Sequence, residues 1–226
     1  MPTIDGPSHG HSETVPRDFT FEECLAAVEQ APDRLGLCEP VDWVGKRVGR
    51  ASRYQSGRVP EAAAEDPATI GTPVRGFSLV EKWTKGWPLV HLYRWLGPTA
   101  LITKTLSDSL LGQEAVTAEP AQAAVIMESF RSADRIGMLH AVRSLMLKRS
   151  GIEDLLGQVA VPTLVMSARD DVMGWRPDEA KDTCAAIPDC RVEEVAGTGH
   201  VSPLLIDHHR IGQLLTEFWE TAVPNA

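Results

Sequence analysis

"VPTLVMSARDD", residues 161–171, is the stretch from which the architecture can be read. Its aliphatic and β-branched residues run on without polar alternation, the pattern of a strand covered on both faces in a parallel sheet. The run ends in "SARDD", which puts two carboxylates, Asp170 and Asp171, just past the strand's carboxyl end. Parallel-sheet proteins place their chemistry at that end. Beyond it come a helix, "RPDEAKDTCAAI" (176–187), a second strand, "CRVEEVAG" (190–197), and a closing helix, "DHHRIGQLLTEFWETAV" (207–223). Strands alternating with helices predict an α/β fold, a mostly parallel sheet flanked by helices.

Upstream, residues 18–37 read as a helix. Thr20 and Glu23 have the spacing of a capping box, Pro32 predicts a break, and Gly36 an end. "PVDWVG" (40–45) and "ATIGTPV" (68–74) are short strand candidates, and the residues between them have no periodic pattern. From Leu79 to about Leu147 the sequence is helical, with Trp83, Trp87, Leu92 and Trp95 along its first helix. That aromatic stripe is expected to pack inward. The expected organisation is a core of residues 1–74 and 151–226, interrupted by a helical cap, 75–150.

The chain has 226 residues and a formal net charge of −9, which disfavours a nucleic-acid partner. No apolar run reaches the ~18 residues of a membrane helix and no signal-peptide core is visible, so no membrane partner and a cytoplasmic location are expected. Cys24, Cys38, Cys184 and Cys190 form no C-x-x-C pair and read as reduced, buried thiols. The histidine groups "HGH" and "DHH" lack partners at ligand spacing, so neither a metal nor an organic cofactor is expected.

His200 lies in a second turn, "GTGHVSPLL" (197–205), after the strand "RVEEV". An acid and then a histidine, each following its own strand, is the end of the chain order nucleophile, acid, base. In such an arrangement the carboxylate orients the imidazole and stabilises its protonated form.

Together, "VPTLVMSARDD" and "AGTGHVSPLL" resemble the C-terminal part of the α/β-hydrolase superfamily. "IDGPSHGHS" (4–12) is similar to that family's D-x-P-G-H-G-x-S turn, with Ser8 in place of a glycine. The resemblance implies His200 as general base and either Asp170 or Asp171 as the acid. Counting from Ser167 favours Asp170; alignment on "VMGW" favours Asp171. It also implies hydrolysis of an ester, epoxide or similar small apolar substrate, with tryptophans and leucines of the cap lining a pocket above His200.

Two departures bear on activity. The family's opening strands, and a loop there that supplies an oxyanion-hole N–H, have no counterpart before Met1, so the chain reads as N-terminally truncated. The nucleophile elbow, G-x-S-x-G, corresponds to "GKRVG" (45–49), which places Arg47 at the nucleophile position. Ser52 and Ser56 follow without glycine framing. The expected outcome is impaired hydrolysis, with a non-catalytic ligand-binding protein or an inactive gene remnant as the alternative. A frameshift is the expected origin of the anomaly, as a hypothesis for the gene sequence to test. Lys46–Arg53 can be encoded AAA CGC GTG GGG CGG GCA TCG CGG, which one base later reads Asn-Ala-Trp-Gly-Gly-His-Arg, similar to an elbow with alanine in the nucleophile's place.

Overall fold

In a computed structural model, residues 3–36, 43–45, 67–72, 74–171 and 175–222 are described. Arg47, Ser52, Ser56, Cys38 and most of "VMGW" lie outside them.

Thr20 caps helix α1 (Phe21–Glu29). Its hydroxyl accepts from the Glu23 N–H at 3.2 Å, and the Glu23 carboxylate accepts from the Thr20 N–H at 2.8 Å. The helix breaks at Gln30 and resumes as α2 (Ala31–Arg34), where Pro32 falls in the first turn and sacrifices no helical hydrogen bond. Gly36, at φ +66°, ends the segment.

The sheet has four described strands in the order β1 (Trp43–Gly45), β2 (Pro67–Ile70), β3 (Thr163–Ala168) and β4 (Cys190–Val195). All three pairings are parallel, with Ala68 opposite Leu164 and Ala168 opposite Val195. All six residues of β3 are buried, as its unbroken apolar run predicts. Its alternate side chains serve two cores. Leu164, Met166 and Ala168 pack with Ile70, Val195, Ile211, Leu214 and Phe218. Val165 faces the other way, among Val159, Trp175, Ala180 and Cys184. Each such aliphatic side chain, fully buried, contributes about 1.5–3 kcal/mol.

Between β2 and β3 stands the helical block. Leu79–Glu81 (α3) continues through a π-helical stretch, Lys82–Gly86, into α4 (Trp87–Leu96). Then follow α5 (Ala100–Leu110), α6 (Gly112–Ala118), α7 (Pro120–Ser132) and α8 (Arg135–Val142), the last running into a π-helical stretch, Arg143–Lys148. After β3, α9 (Pro177–Cys184) leads to β4, and α10 (Pro203–Ile206) and α11 (His208–Ala222) close the chain.

The inward packing expected of the aromatic stripe is not found. Trp83 and Trp95 are 70% and 76% exposed, and Leu92 is also exposed. Val90, Tyr93 and Gly86 face inward instead, because a close crossing fixes which side of this helix is covered: a Cβ at Gly86 would lie 2.4 Å from Leu147 Cδ2. Trp87 stacks between Trp83 and His91 along the outer side, at ring separations of 6.3 and 5.4 Å. The block's interior is built from Tyr93, Ile102 and Met138.

Asp18 clasps the N-terminal segment to the block. Its carboxylate accepts from His140 Nδ1 at 2.5 Å and pairs with Lys148 at 2.6 Å and Arg143 at 3.2 Å. Burial opposes its charge, but the hydrogen bonds from Lys148 and His140 and the neighbouring cations outweigh that and hold its pKa below the usual carboxylate value.

Candidate active site

Three strand ends converge at the carboxyl edge of the sheet. After β2, Gly71 turns with φ +55° and its N–H donates to the Met166 carbonyl at 2.8 Å. The buried Thr72 hydroxyl donates to the Gly45 carbonyl at 3.3 Å, tying the end of β1 to the turn after β2. After β3, the Asp171 N–H reaches back to the Ala168 carbonyl at 3.4 Å. This turn separates the two carboxylates: Asp170 is exposed and Asp171 is 5% exposed.

After β4, His200 stands in a loop held from several sides. Its own N–H donates to the Ser109 carbonyl at 3.2 Å, and that of Val201 donates to the Leu110 carbonyl at 2.6 Å. Gly199 lies against the same turn, where a Cβ would meet the Leu110 carbonyl oxygen at 2.5 Å, so only glycine fits. The buried Ser202 hydroxyl accepts from the Gly199 N–H at 2.9 Å and donates to the Gly199 carbonyl at 2.8 Å. Asp207 accepts from the Ala196 N–H at 2.7 Å at the loop's base.

These loops bring His200 Nδ1 to 2.7 Å from Asp171 Oδ2, and each side chain is 1% exposed. With Nδ1–H facing a carboxylate, Nε2 is the nitrogen left to take a proton, as a general base requires. Asp171 rather than Asp170 therefore meets the histidine. Sequence alone missed Ser109, Leu110, Ser202 and Asp207 as supports of the loop. The only signal was the small, glycine-framed composition of "GTGHVSP".

The N-terminal turn also takes the shape its sequence suggests. Asp5 accepts from the His11 N–H at 3.0 Å and its carbonyl from the Ser12 hydroxyl at 2.7 Å. Ser8 adopts φ +61°, the left-handed conformation that favours glycine, which explains the residue it replaces in the related motif. Its hydroxyl accepts from the Val15 N–H at 2.9 Å.

Solved structures share this fold. An esterase from Thermogutta terrifontis superposes with a TM-score of 0.81 at 21% identity, over 97% of this chain and 79% of its own. The enol-lactonase from Burkholderia xenovorans gives 0.81 at 20% identity, over 96% and 79%. The chain has the α/β-hydrolase fold. MenH from S. aureus shares this fold with a TM-score of 0.80 at 16% identity, over 98% of the chain and 83% of its own. No protein-family model matches the sequence, and no curated protein does.

Within this α/β-hydrolase fold, a cleft of about 210 Å³ opens between α1 and the end of the helical block, lined by Asp18, Phe19, Phe21, Ser144, Lys148 and Arg149. Neither Asp171 nor His200 lines it, so the paired side chains, and not the size of this opening, mark the candidate site. Among the described residues, no group of three or more His, Cys, Asp or Glu side chains could hold a metal, and no helix is long and apolar enough to cross a membrane.

Proposed function

We propose that Asp171 and His200 are the acid and base of a hydrolytic site acting on an ester or similar small apolar substrate, beneath a cap formed by residues 75–150. The buried 2.7 Å contact between them carries this reading. Asp171 fixes the imidazole's tautomer and stabilises the imidazolium; Nε2 takes the proton of the attacking group. Because the sequence sets Arg47, and no serine, against the nucleophile of the family's motif, that group is water activated by His200, and turnover is slow compared with a serine-based site. No cofactor enters this chemistry.

The test is hydrolysis of short p-nitrophenyl esters. Slow turnover that disappears in His200→Ala, without labelling by a fluorophosphonate, is expected. Equal rates in the two proteins would overturn it. Arg47 also motivates a second reading, a binding protein that holds an apolar ligand without chemistry. It predicts saturable ligand binding unchanged by His200→Ala, with no ester turnover.

A further inference from the structure

Cys184 and Cys190, six positions apart, are brought together by the fold. Cys184 is the last residue of α9 and Cys190 the first of β4. The intervening chain turns tightly, with the Ile187 N–H donating to the Cys184 carbonyl at 2.9 Å. Cys184 is 2% exposed within the core cluster beneath the sheet, and Cys190 packs against that cluster while remaining partly exposed. Both thiols are free, and both side chains belong to the same packed cluster.

We infer that Cys184 and Cys190 form a thiol pair that a low-molecular-weight disulfide oxidises to an intramolecular disulfide. The division of labour follows from position. Hydrogen bonding from Cys184 favours the thiolate of Cys190 and pushes its pKa down; the same contact, together with burial, pushes the Cys184 thiol up. Cys190, which solvent reaches, is the attacking group. Its thiolate attacks one sulfur of glutathione disulfide, forming a mixed disulfide and expelling one glutathione thiolate. Cys184 then loses its proton to solvent and attacks the Cys190 sulfur, expelling the second glutathione. Two protein thiols are oxidised by two electrons and one glutathione disulfide is reduced to two glutathiones. The bridge pins the end of α9 to the start of β4, at the edge of the sheet opposite Asp171 and His200.

Trypsin makes the test direct, because cleavage after Lys181 and Arg191 releases residues 182–191 with both cysteines in one peptide. The folded full-length chain is incubated with excess glutathione disulfide, free thiols are alkylated, and the digest is weighed. The expected peptide is two hydrogen masses lighter than its reduced form and carries neither alkyl group nor glutathione. Dithiothreitol restores two alkylatable thiols, and the oxidised chain melts at a higher temperature than the reduced one. In Cys184→Ser the mixed disulfide accumulates on Cys190. A wild-type peptide that remains doubly alkylated, or stops at the glutathione adduct, overturns the inference without needing either variant to fold.

Discussion

Gly199 lies so close to Leu110 that a Cβ there would sit 2.5 Å from the Leu110 carbonyl oxygen. The histidine loop and the helical block are thus fitted backbone to backbone, and the neighbouring Val201 N–H seals the contact at 2.6 Å. A methyl group cannot be absorbed by rotating a side chain, since the obstacle is main chain. Gly199→Ala should cost about 1–3 kcal/mol in a denaturant titration, and should lower ester turnover more than Km by shifting His200 away from Asp171.

Acid should loosen the junctions of the helical block before it reaches the sheet. Asp18 is held below the ordinary carboxylate value of 3.8, and the hydrogen bonds and charge of Arg75, aided by Ser78, hold Glu81 down at about 2. Both folded values are depressed, so their contribution is complete above the unfolded values. It is lost as pH falls through the folded ones. Circular dichroism between pH 5 and about 2 should show stability declining in wild type. The decline should be shallower in Asp18→Asn/Glu81→Gln, which should start from a lower stability at neutral pH.

Ser8 sets two effects against each other. Glycine would relieve a left-handed conformation that costs an L-residue about 1–2 kcal/mol, but would lose the acceptor for the Val15 N–H, a bond with a net contribution of about 0.5–1.5 kcal/mol. Ser8→Gly should therefore melt close to wild type. Ser8→Ala keeps the strain and loses the bond, and should melt lower than both.

How much of this could be read from the sequence depended on whether a local rule decided the feature. The unbroken run Thr163–Ala168 could only be buried on both faces, and Thr20 with Glu23 could only cap a helix, so both were legible. That a carboxylate after β3 and His200 after β4 reach the same end of the sheet was legible too. The choice between Asp170 and Asp171 was not, because the two are adjacent and the turn after β3 alone turns one to solvent and the other to His200. The aromatic stripe had the same difficulty. Its spacing announced a helix, but not which side Gly86 would press against Leu147, and Trp83 and Trp95 face outward. The contact of Cys184 with Cys190 likewise needed the turn between α9 and β4.

The stretch after Gly45 makes a prediction about the gene. If "KRVGRASR" (46–53) is an out-of-frame reading of an elbow, its codons should permit the shifted translation Asn-Ala-Trp-Gly-Gly-His-Arg. The nucleotide sequence decides this, and a single codon that forbids the shifted reading removes the explanation.

Of the two adjacent carboxylates, the one proposed to work with His200 is Asp171. Initial rates of p-nitrophenyl acetate hydrolysis by Asp171→Asn and Asp170→Asn separate the two. Asparagine at 171 preserves shape but presents the wrong partner to Nδ1, a change that in a serine-protease triad costs about 10⁴ in rate. Asp171→Asn should fall to the level of His200→Ala while Asp170→Asn keeps the wild-type rate. A wild-type rate in Asp171→Asn, or a collapse confined to Asp170→Asn, would contradict it.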